Sequence, residues 1–534
     1  MPVLHYRAEV VIAGAGIAGI CAAIEALDRG RSVVLLDRDE PAQLGGLARE
    51  AFGGLWFAGT PEQRRWRIRD SAELGLRDWL AFGELGPEER WGRAWAETYV
   101  ERCVADVHDW LTGLGIRFLP LPMWVERGLS GNGNSVPRWH VVQGTGLVLV
   151  ETLARRLLEH PRRARLELKF QHRVDALTRA AGRICGVTGT VETQDQPFEA
   201  TAESVVIASG GISGDLDRVR RHWPADCGRP PATLLNGAHR FADGHLHDAV
   251  SAAGAAVTHL DWQWNYAAGI RHWRPRRPAH GLSLVPPKSA LWLNARGERI
   301  GPRPLVAGFD THELVARLCA EPGGYGWLLL NRRIALRELA VSGAEFNPAL
   351  RDRQRLKFLL EMATGQRWLY DQLTRNSEDV VLADDLPELV ERMNAVNGDD
   401  VVDLAAVADA VVRYDAGIAR GPRFHTDEQL LRIASARRWL GDRLRTCAFA
   451  PIGARRSRPL LAIRACVISR KSMGGIRSDL AGRVLDAAGR PLPGLYAAGE
   501  AAGFGGGGMH GKRSLEGTFL GGCILTGRSA GRNV

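Results

Sequence analysis

Gly14, Gly16 and Gly19 stand in the order G-x-G-x-x-G within the segment EVVIAGAGIAGICAAIEALDRGRSVVLLD, which spans Glu9–Asp37. Glycines at this spacing admit a diphosphate. The first makes a tight turn, the second lets a pyrophosphate approach the backbone, and the third lets helix and strand pack closely. A helix opening at such a turn offers unpaired N–H groups and the positive end of its dipole to the phosphates. Asp37 follows Gly14 by 23 residues, where a carboxylate can accept ribose hydroxyl protons. At the other end of the chain, Leu495–Gly499 reads LYAAG and is followed by Glu500 and a glycine-dense loop carrying His510, Arg513 and Ser514. Imidazole, guanidinium and hydroxyl on one loop can stabilise developing charge and move a proton.

The elements needed to position these groups are legible. A β-branched run before Gly14, an Ala-rich helix after it and a second apolar run ending on Asp37 make one βαβ unit. It is the only such fingerprint in the chain, so a second dinucleotide on its own Rossmann domain is not indicated. Ser204–Gly211 reads SVVIASGG, a buried strand running into glycines, and strand-like runs lie near Arg165–Phe170 and Arg183–Val191. Between about Leu246 and Asp442 the texture changes. Aromatics cluster at Trp262, Trp264 and Tyr266, a strand and turn cover Leu291–Ile300, and a charge-rich, mostly helical stretch follows. Strand and glycine texture returns after Cys466. The nucleotide-binding pattern is therefore split by an insert.

Bulk properties narrow the class. At 534 residues the chain exceeds the usual size of one core. The net charge is +10, yet only five of the 70 basic residues are Lys and no long basic run exists, which argues against nucleic acid as a partner. Eight Cys lie far apart without a C-x-x-C pair, so neither a metal site nor a disulfide framework is implied, and no c-type haem motif is present. No apolar stretch is long enough to span a membrane, and a reducing cytoplasm is the expected compartment. His140, before Gly144-Thr145-Gly146, reads as structural.

The order of these motifs resembles the succinate dehydrogenase/fumarate reductase flavoprotein superfamily, in the branch of FAD-binding dehydrogenases near the 3-ketosteroid dehydrogenases. The likeness runs through the glycine triplet, Gly45-Gly46, Gly53-Gly54, Ala208-Ser209-Gly210-Gly211, Asp243-Gly244 with its Ala-rich helix, the N-x-x-G-x-R stretch from Asn294 to Arg299, Met473–Ile476, Pro493–Glu500, and His510 through Gly517. It implies an α/β fold: a doubly wound Rossmann-like FAD-binding domain, residues 1–245 and 443–534, with an inserted α+β capping domain at 246–442. It implies that FAD meets Gly14, Ala15, Gly16, Ala18 and Gly19, then Asp37, Arg38, Gly45, Gly46, Gly53 and Gly54. Val174, Ala208, Ser209, Gly210 and Asp243 follow, and finally Gly499, Glu500, Ser514, Leu515, Thr518, Phe519 and Leu520. Glu500 would hold the ribityl chain, and the backbone near Thr518 would face the flavin ring.

Departures from the family pattern sharpen the expectation. Members with covalent FAD carry a His where Leu47 stands, so the resemblance implies a noncovalent flavin. Fumarate reductases read H-G-A-N-R-L-G-G; here Ser514 takes the place of the Arg that pairs a substrate carboxylate, with Arg513 one place earlier. The family's H-P-T stretch is replaced by Trp264-Asn265-Tyr266. A larger, flatter, apolar substrate suits such residues better than a small dicarboxylate. The implied chemistry is hydride transfer between flavin N5 and a carbon next to an activated C=C or CH–CH bond, in either direction. His510 is the first choice to move the accompanying proton, as an imidazole titrating near neutrality. Tyr266 is second, with Arg513 as the cation beside it. Electrons would pass to a separate carrier or O2. A fumarate-type reductase, a flavin-binding regulator without turnover and a nucleic-acid-associated flavoprotein are the competing expectations.

Overall fold

The computed structural model describes residues 2–534. The chain divides into two compact units. One comprises residues 1–222, 238–264 and 471–534, and the other residues 223–237 and 265–470.

The first unit is built on a six-stranded sheet. Its strands lie in the order Arg483–Leu485, Pro491–Ala497, Ser204–Ile207, Val10–Ala13, Val33–Leu36 and Leu166–Lys169. All neighbours run parallel except Arg483–Leu485, which pairs antiparallel at the edge. Val10–Ala13 and Val33–Leu36 are buried at every position, as expected of central parallel strands covered on both faces. One cover is a four-stranded sheet, ordered Leu4–Arg7, Gln196–Thr201, Arg183–Val191 and His172–Ala180. Val174, Val187 and Phe198 from that sheet share a core with Val11, Val34, Ile207 and Leu495.

Two helices from opposite ends of the chain belong to the same unit. Ile17–Asp28 leaves the glycine turn, and Thr518–Asn533 closes the sequence. They meet through absent side chains. A Cβ on Gly527 would lie 2.3 Å from Ala18 O, and one on Gly531 would lie 2.3 Å from Ala22 O. The seam is locked by Glu25, which accepts from Arg528 Nε at 2.5 Å and from Arg532 Nε at 3.1 Å.

The second unit is α+β. Its sheet runs Leu291–Leu293, Tyr325–Asn331, Leu460–Ser472, Gln263–Arg271, Gly281–Val285 and Ala340–Val341, with Leu234–Asn236 and Val380–Ala383 also pairing on the long Leu460–Ser472 strand. Helices including Thr311–Ala320, Leu386–Asn397 and Leu404–Ala419 accompany it. Among the described residues, no helix is long and apolar enough to cross a membrane.

The glycine seam makes a direct prediction. Gly527→Val would force backbone apart at Ala18, an overpacking change costing about 1–3 kcal/mol. For a chain of this length the thermal midpoint should fall by about 1–3 °C, whereas Gly113→Ala, in a helix and with no atom within 4 Å of the added carbon, should not lower it. Equal midpoints for the two variants would refute the seam.

Candidate active site

Each glycine of the triplet has its own spatial reason. Gly14 has φ 110°, and a Cβ there would lie 2.3 Å from Ala208 O. A Cβ on Gly19 would lie 1.9 Å from Gly14 O. Gly16 differs, because nothing stands within 4 Å of where its Cβ would point. That open face sits at the N-cap of the Ile17–Asp28 helix, which has no side-chain cap. Gly45 donates to Ala15 O at 2.9 Å, and Gly46 brings its own open side to 3.6 Å from Gly16 Cα. The result is a cradle of backbone with free N–H groups, the geometry that accepts a pyrophosphate.

Around the cradle the acids are already engaged. Asp37 accepts from Ala15 N–H at 2.6 Å and Asp39 N–H at 2.7 Å. Burial pushes its carboxyl above the ordinary range, against those two donors. A carboxylate has about four lone-pair sites, so two remain for ribose hydroxyls. Arg38 is held between Glu192 (Nη2–Oε1 2.8 Å) and Asp243 (Nη1–Oδ2 2.8 Å) and lies 4.3 Å from the Phe241 ring centroid. The fold thus brings Arg38 and Asp243 together, as an ion pair with each other. Val174 contributes a buried core side chain. Ala208 N donates to Ala13 O, and a Cβ on Gly210, at φ 81°, would lie 3.7 Å from Ala242 Cβ.

The C-terminal motif returns to the same unit. Gly499, at φ 68°, donates to Thr526 Oγ1 at 2.9 Å. Glu500 Oε1 accepts from Ser472 N–H at 2.9 Å, and Ser472 Oγ accepts from Ile212 N–H at 2.8 Å. A Cβ on Gly211 would lie 2.6 Å from Glu500 Oε1, so Gly211 is what lets this carboxylate in. Gly517, at φ 102°, opens the Thr518–Asn533 helix, again without a side-chain cap. Gly53 and Gly54 lie close by: a Cβ on Gly54 or on Gly517 would overlap the Trp139 indole. Ser514 is fully buried, its hydroxyl 3.0 Å from Thr518 Oγ1, which itself donates to Leu515 O at 2.8 Å.

His510 is 0% exposed and stacked on Trp79, ring centroids 5.5 Å apart at 12°. Phe504 and Phe519 flank it at 5.0 and 4.8 Å. Neither ring nitrogen has a hydrogen-bond partner. Burial, helped by the charge of Lys471, pushes its pKa down to about 3. This corrects the expectation of an imidazole titrating near neutrality: a dehydrated ring beside a cation stays neutral. Orphaned buried nitrogens of this kind call for a partner supplied by a ligand. His140 is the contrast. It is equally buried, yet Nδ1 meets Arg138 O and Nε2 meets Thr60 Oγ1, both at 2.8 Å.

The other two catalytic candidates make different contacts. The Arg513 guanidinium is paired with Glu84, next to the end of the Ala72–Gly83 helix. Tyr266 belongs to the second unit, on Gln263–Arg271, packed against Leu235, Cys466 and Ile468. Within that unit the Arg470 guanidinium lies 6.0 Å from the centroid of its ring. The structure also supplies Lys471 and Glu516, which spacing did not single out. Lys471 Nζ lies 4.1 Å from the Phe519 ring centroid, and the Trp264 indole, fully buried, donates to Glu516 Oε2 at 3.0 Å. In the second unit, donor atoms of Asp226, Cys227 and His312 all lie within 4.8 Å of one another. Two are adjacent and the third is 85 residues away, so no sequence spacing marked them.

The uncapped helix starts, the open face at Gly16 and the orphaned His510 all fit a flavin dinucleotide. The sequence pattern of the FAD binding domain family matches residues 9–520. The chain belongs to that family. It is 41% identical to a KsdD-like steroid dehydrogenase of Mycobacterium tuberculosis, over 99% of this chain and 95% of the relative. Among solved structures it is similar in fold to 3-ketosteroid Δ1-dehydrogenase from Sterolibacterium denitrificans in complex with 1,4-androstadiene-3,17-dione (TM-score 0.69, 17% identity, 98% of each chain). It is similar also to the open conformation of a flavocytochrome c3 fumarate reductase (TM-score 0.68, 20% identity, 99% of this chain and 78% of that one). The protein is an FAD-dependent dehydrogenase or reductase.

The buried imidazole predicts a pH effect. Below about pH 6.5 an unfolded His takes up a proton, whereas folded His510 does not until about pH 3. The unfolded state then binds more protons, so this group's penalty on stability grows as pH falls from 6.5 towards 3. His510→Phe removes it. Between pH 7 and pH 5 the variant should lose about 2 kcal/mol less stability than the parent, read as a smaller drop in thermal midpoint. Parallel pH curves would mean that His510 is solvated.

Proposed function

We propose that this flavoenzyme desaturates or reduces a carbon–carbon bond next to a carbonyl on a large, flat, apolar substrate of steroid size, with FAD held noncovalently. The observation that carries the reading is His510, a neutral imidazole with two unpaired nitrogens among Trp79, Phe504 and Phe519. Bound FAD would supply hydride exchange at N5. Removing the proton from the carbon next to the carbonyl as hydride leaves the following carbon, or adding hydride to that following carbon of the unsaturated ketone, develops enolate-like charge on the substrate carbonyl oxygen. A neutral imidazole donates a hydrogen bond to that oxygen without first losing a proton, which lowers the barrier in a dry site. Tyr266, with Arg470 beside its ring, is the candidate to carry the proton to or from carbon.

The surroundings favour a carbonyl over a carboxylate. A small dicarboxylate needs a fixed cation, commonly a bidentate Arg. Ser514 occupies that place and hydrogen-bonds with Thr518, while Arg513 is paired with Glu84. The 41% identity to a KsdD-like steroid dehydrogenase supports the same substrate class. Glu500 is assigned to the ribityl hydroxyls and Asp37 to the ribose. Leu47 cannot bond covalently to a flavin. The inserted unit is assigned the substrate contacts, and electrons pass to a separate carrier or O2.

Acid precipitation should leave the yellow colour in the supernatant; colour retained in the washed pellet would overturn noncovalent binding. Glu500→Ala, losing hydrogen bonds worth about 1.5–3 kcal/mol each, should purify largely without flavin. With a dye as electron acceptor, the parent should oxidise a 3-ketosteroid such as 4-androstene-3,17-dione. Reduced protein should be reoxidised by fumarate at least about a hundredfold more slowly than by an unsaturated ketosteroid. His510→Ala and Tyr266→Phe should each keep FAD and lower turnover by about 10²–10⁴-fold. Fast fumarate reduction without steroid turnover would defeat the proposal.

A further inference from the structure

The second unit contains a cavity of about 590 Å³ whose walls are dominated by arginine. The helix Arg332–Glu338 contributes Arg332, Arg333 and Arg337. Arg437 follows the helix Glu428–Ala436, and Arg443 lies on Leu440–Arg445. Arg456 and Arg458 come from the turn that precedes the long Leu460–Ser472 strand. Seven guanidinium groups therefore converge from segments well separated in sequence. No carboxylate lines the cavity.

Arginine abounds in this chain, so its identity alone carries little. The absence of acidic partners is what matters. Ion pairs join Arg, Lys or His to acids throughout the rest of the chain, yet none of these seven makes one among the described residues. Glu338, next to Arg337 in sequence, is buried and engaged by Ser289 Oγ at 2.7 Å and Cys447 N–H at 2.7 Å. Arg437 Nη1 donates to the carbonyls of Thr446 and Arg443, which fixes its position on the wall. Arg458 Nε is buried without a hydrogen-bond partner. Gathering like charges around a cavity costs Coulomb energy that an anion removes, and guanidinium forks match phosphate oxygens in pairs. Leu336 and Ala448 add apolar wall, and the volume is that of a small-ligand site.

We propose that this cavity binds a small organic ligand bearing at least two phosphate groups, of nucleotide size. All of its lining residues lie in the second unit, whereas the glycine cradle belongs to the first, so the site is separate from the dinucleotide cradle and does not depend on the substrate assignment above.

The test uses the FAD-loaded protein, with flavin absorbance monitored so that nucleotide displacing FAD from the cradle is recognised. Isothermal titration is performed with orthophosphate, pyrophosphate and ADP. Pyrophosphate and ADP should bind once per chain, and at least about tenfold more tightly than orthophosphate. Arg333→Ala combined with Arg443→Ala, both exposed side chains, should weaken ADP about a hundredfold, about tenfold for each charge-assisted hydrogen-bonding group removed. Arg333→Lys with Arg443→Lys should weaken it less than the alanine pair does. Unchanged flavin content shows that the variants fold. No saturable binding at millimolar ADP, or equal affinity in parent and alanine variant, overturns the proposal. Tighter binding of a polyglutamate peptide or an oligonucleotide than of ADP would do so too, marking a surface for a macromolecule.

Discussion

Backbone must touch backbone in three places for the first unit to exist. The turn at Gly14 lies against Ala208, the Ile17–Asp28 helix starts against that turn through Gly19, and the Thr518–Asn533 helix lies on the first helix through Gly527 and Gly531. At each point a single added carbon would fall within 2.3 Å of a carbonyl oxygen. These approaches join residues near 14, 208 and 530 into one body. They also leave two helix N-termini without side-chain caps. A capped helix start would be more stable by itself, commonly by about 1 kcal/mol. Leaving it open keeps N–H groups available, and an anionic ligand bound there would complete the cap.

Dehydration is the second constraint. His510 takes its chemical character from Trp79, Phe504, Phe519 and the nearby charge of Lys471, and from very little polar contact. An imidazole in water would titrate near neutrality and exchange hydrogen bonds with solvent. Here both nitrogens lack partners, which is costly unless a ligand meets them. Ser514 and Thr518 share a hydrogen bond, and in the proposed reading Ser514 takes the place of a carboxylate-binding Arg. Polarity, not shape alone, thus separates ketone-type from dicarboxylate-type substrates in the proposed reading.

The two ends of the cofactor cradle illustrate how charge is settled before any ligand arrives. Asp37 is braced by Ala15 and Asp39 amides, and Arg38 is held between Glu192 and Asp243. Glu500 is admitted by Gly211 and oriented by the Ser472 amide. Each of these groups is pinned by protein donors or acceptors. Pre-oriented groups of this type reduce the ordering cost of binding a large flexible cofactor.

Much of this was legible in the amino-acid order. The triplet Gly14, Gly16 and Gly19, the β-branched run before it and Asp37 after it lie within about 30 residues, and local sterics alone dictate a strand, a turn and a helix there. The motif order then identified the flavoprotein family, because each motif is a contiguous string. What the order of residues could not reveal depends on groups distant in the chain. The state of His510 rests on Trp79, hundreds of positions away, since desolvation is a property of everything packed around a group. Arg513 pairs with Glu84, and Arg470 stands beside the Tyr266 ring, because only the folded backbone decides which charges meet. The strand His172–Ala180 was marked only at Val174, through the family resemblance, because much of its second half is exposed and its pairing with Arg183–Val191 left no periodic signal. The arginine cavity is the clearest case: in a chain rich in arginine nothing distinguishes Arg333 or Arg443 until tertiary structure shows which guanidinium groups have no acid to answer them.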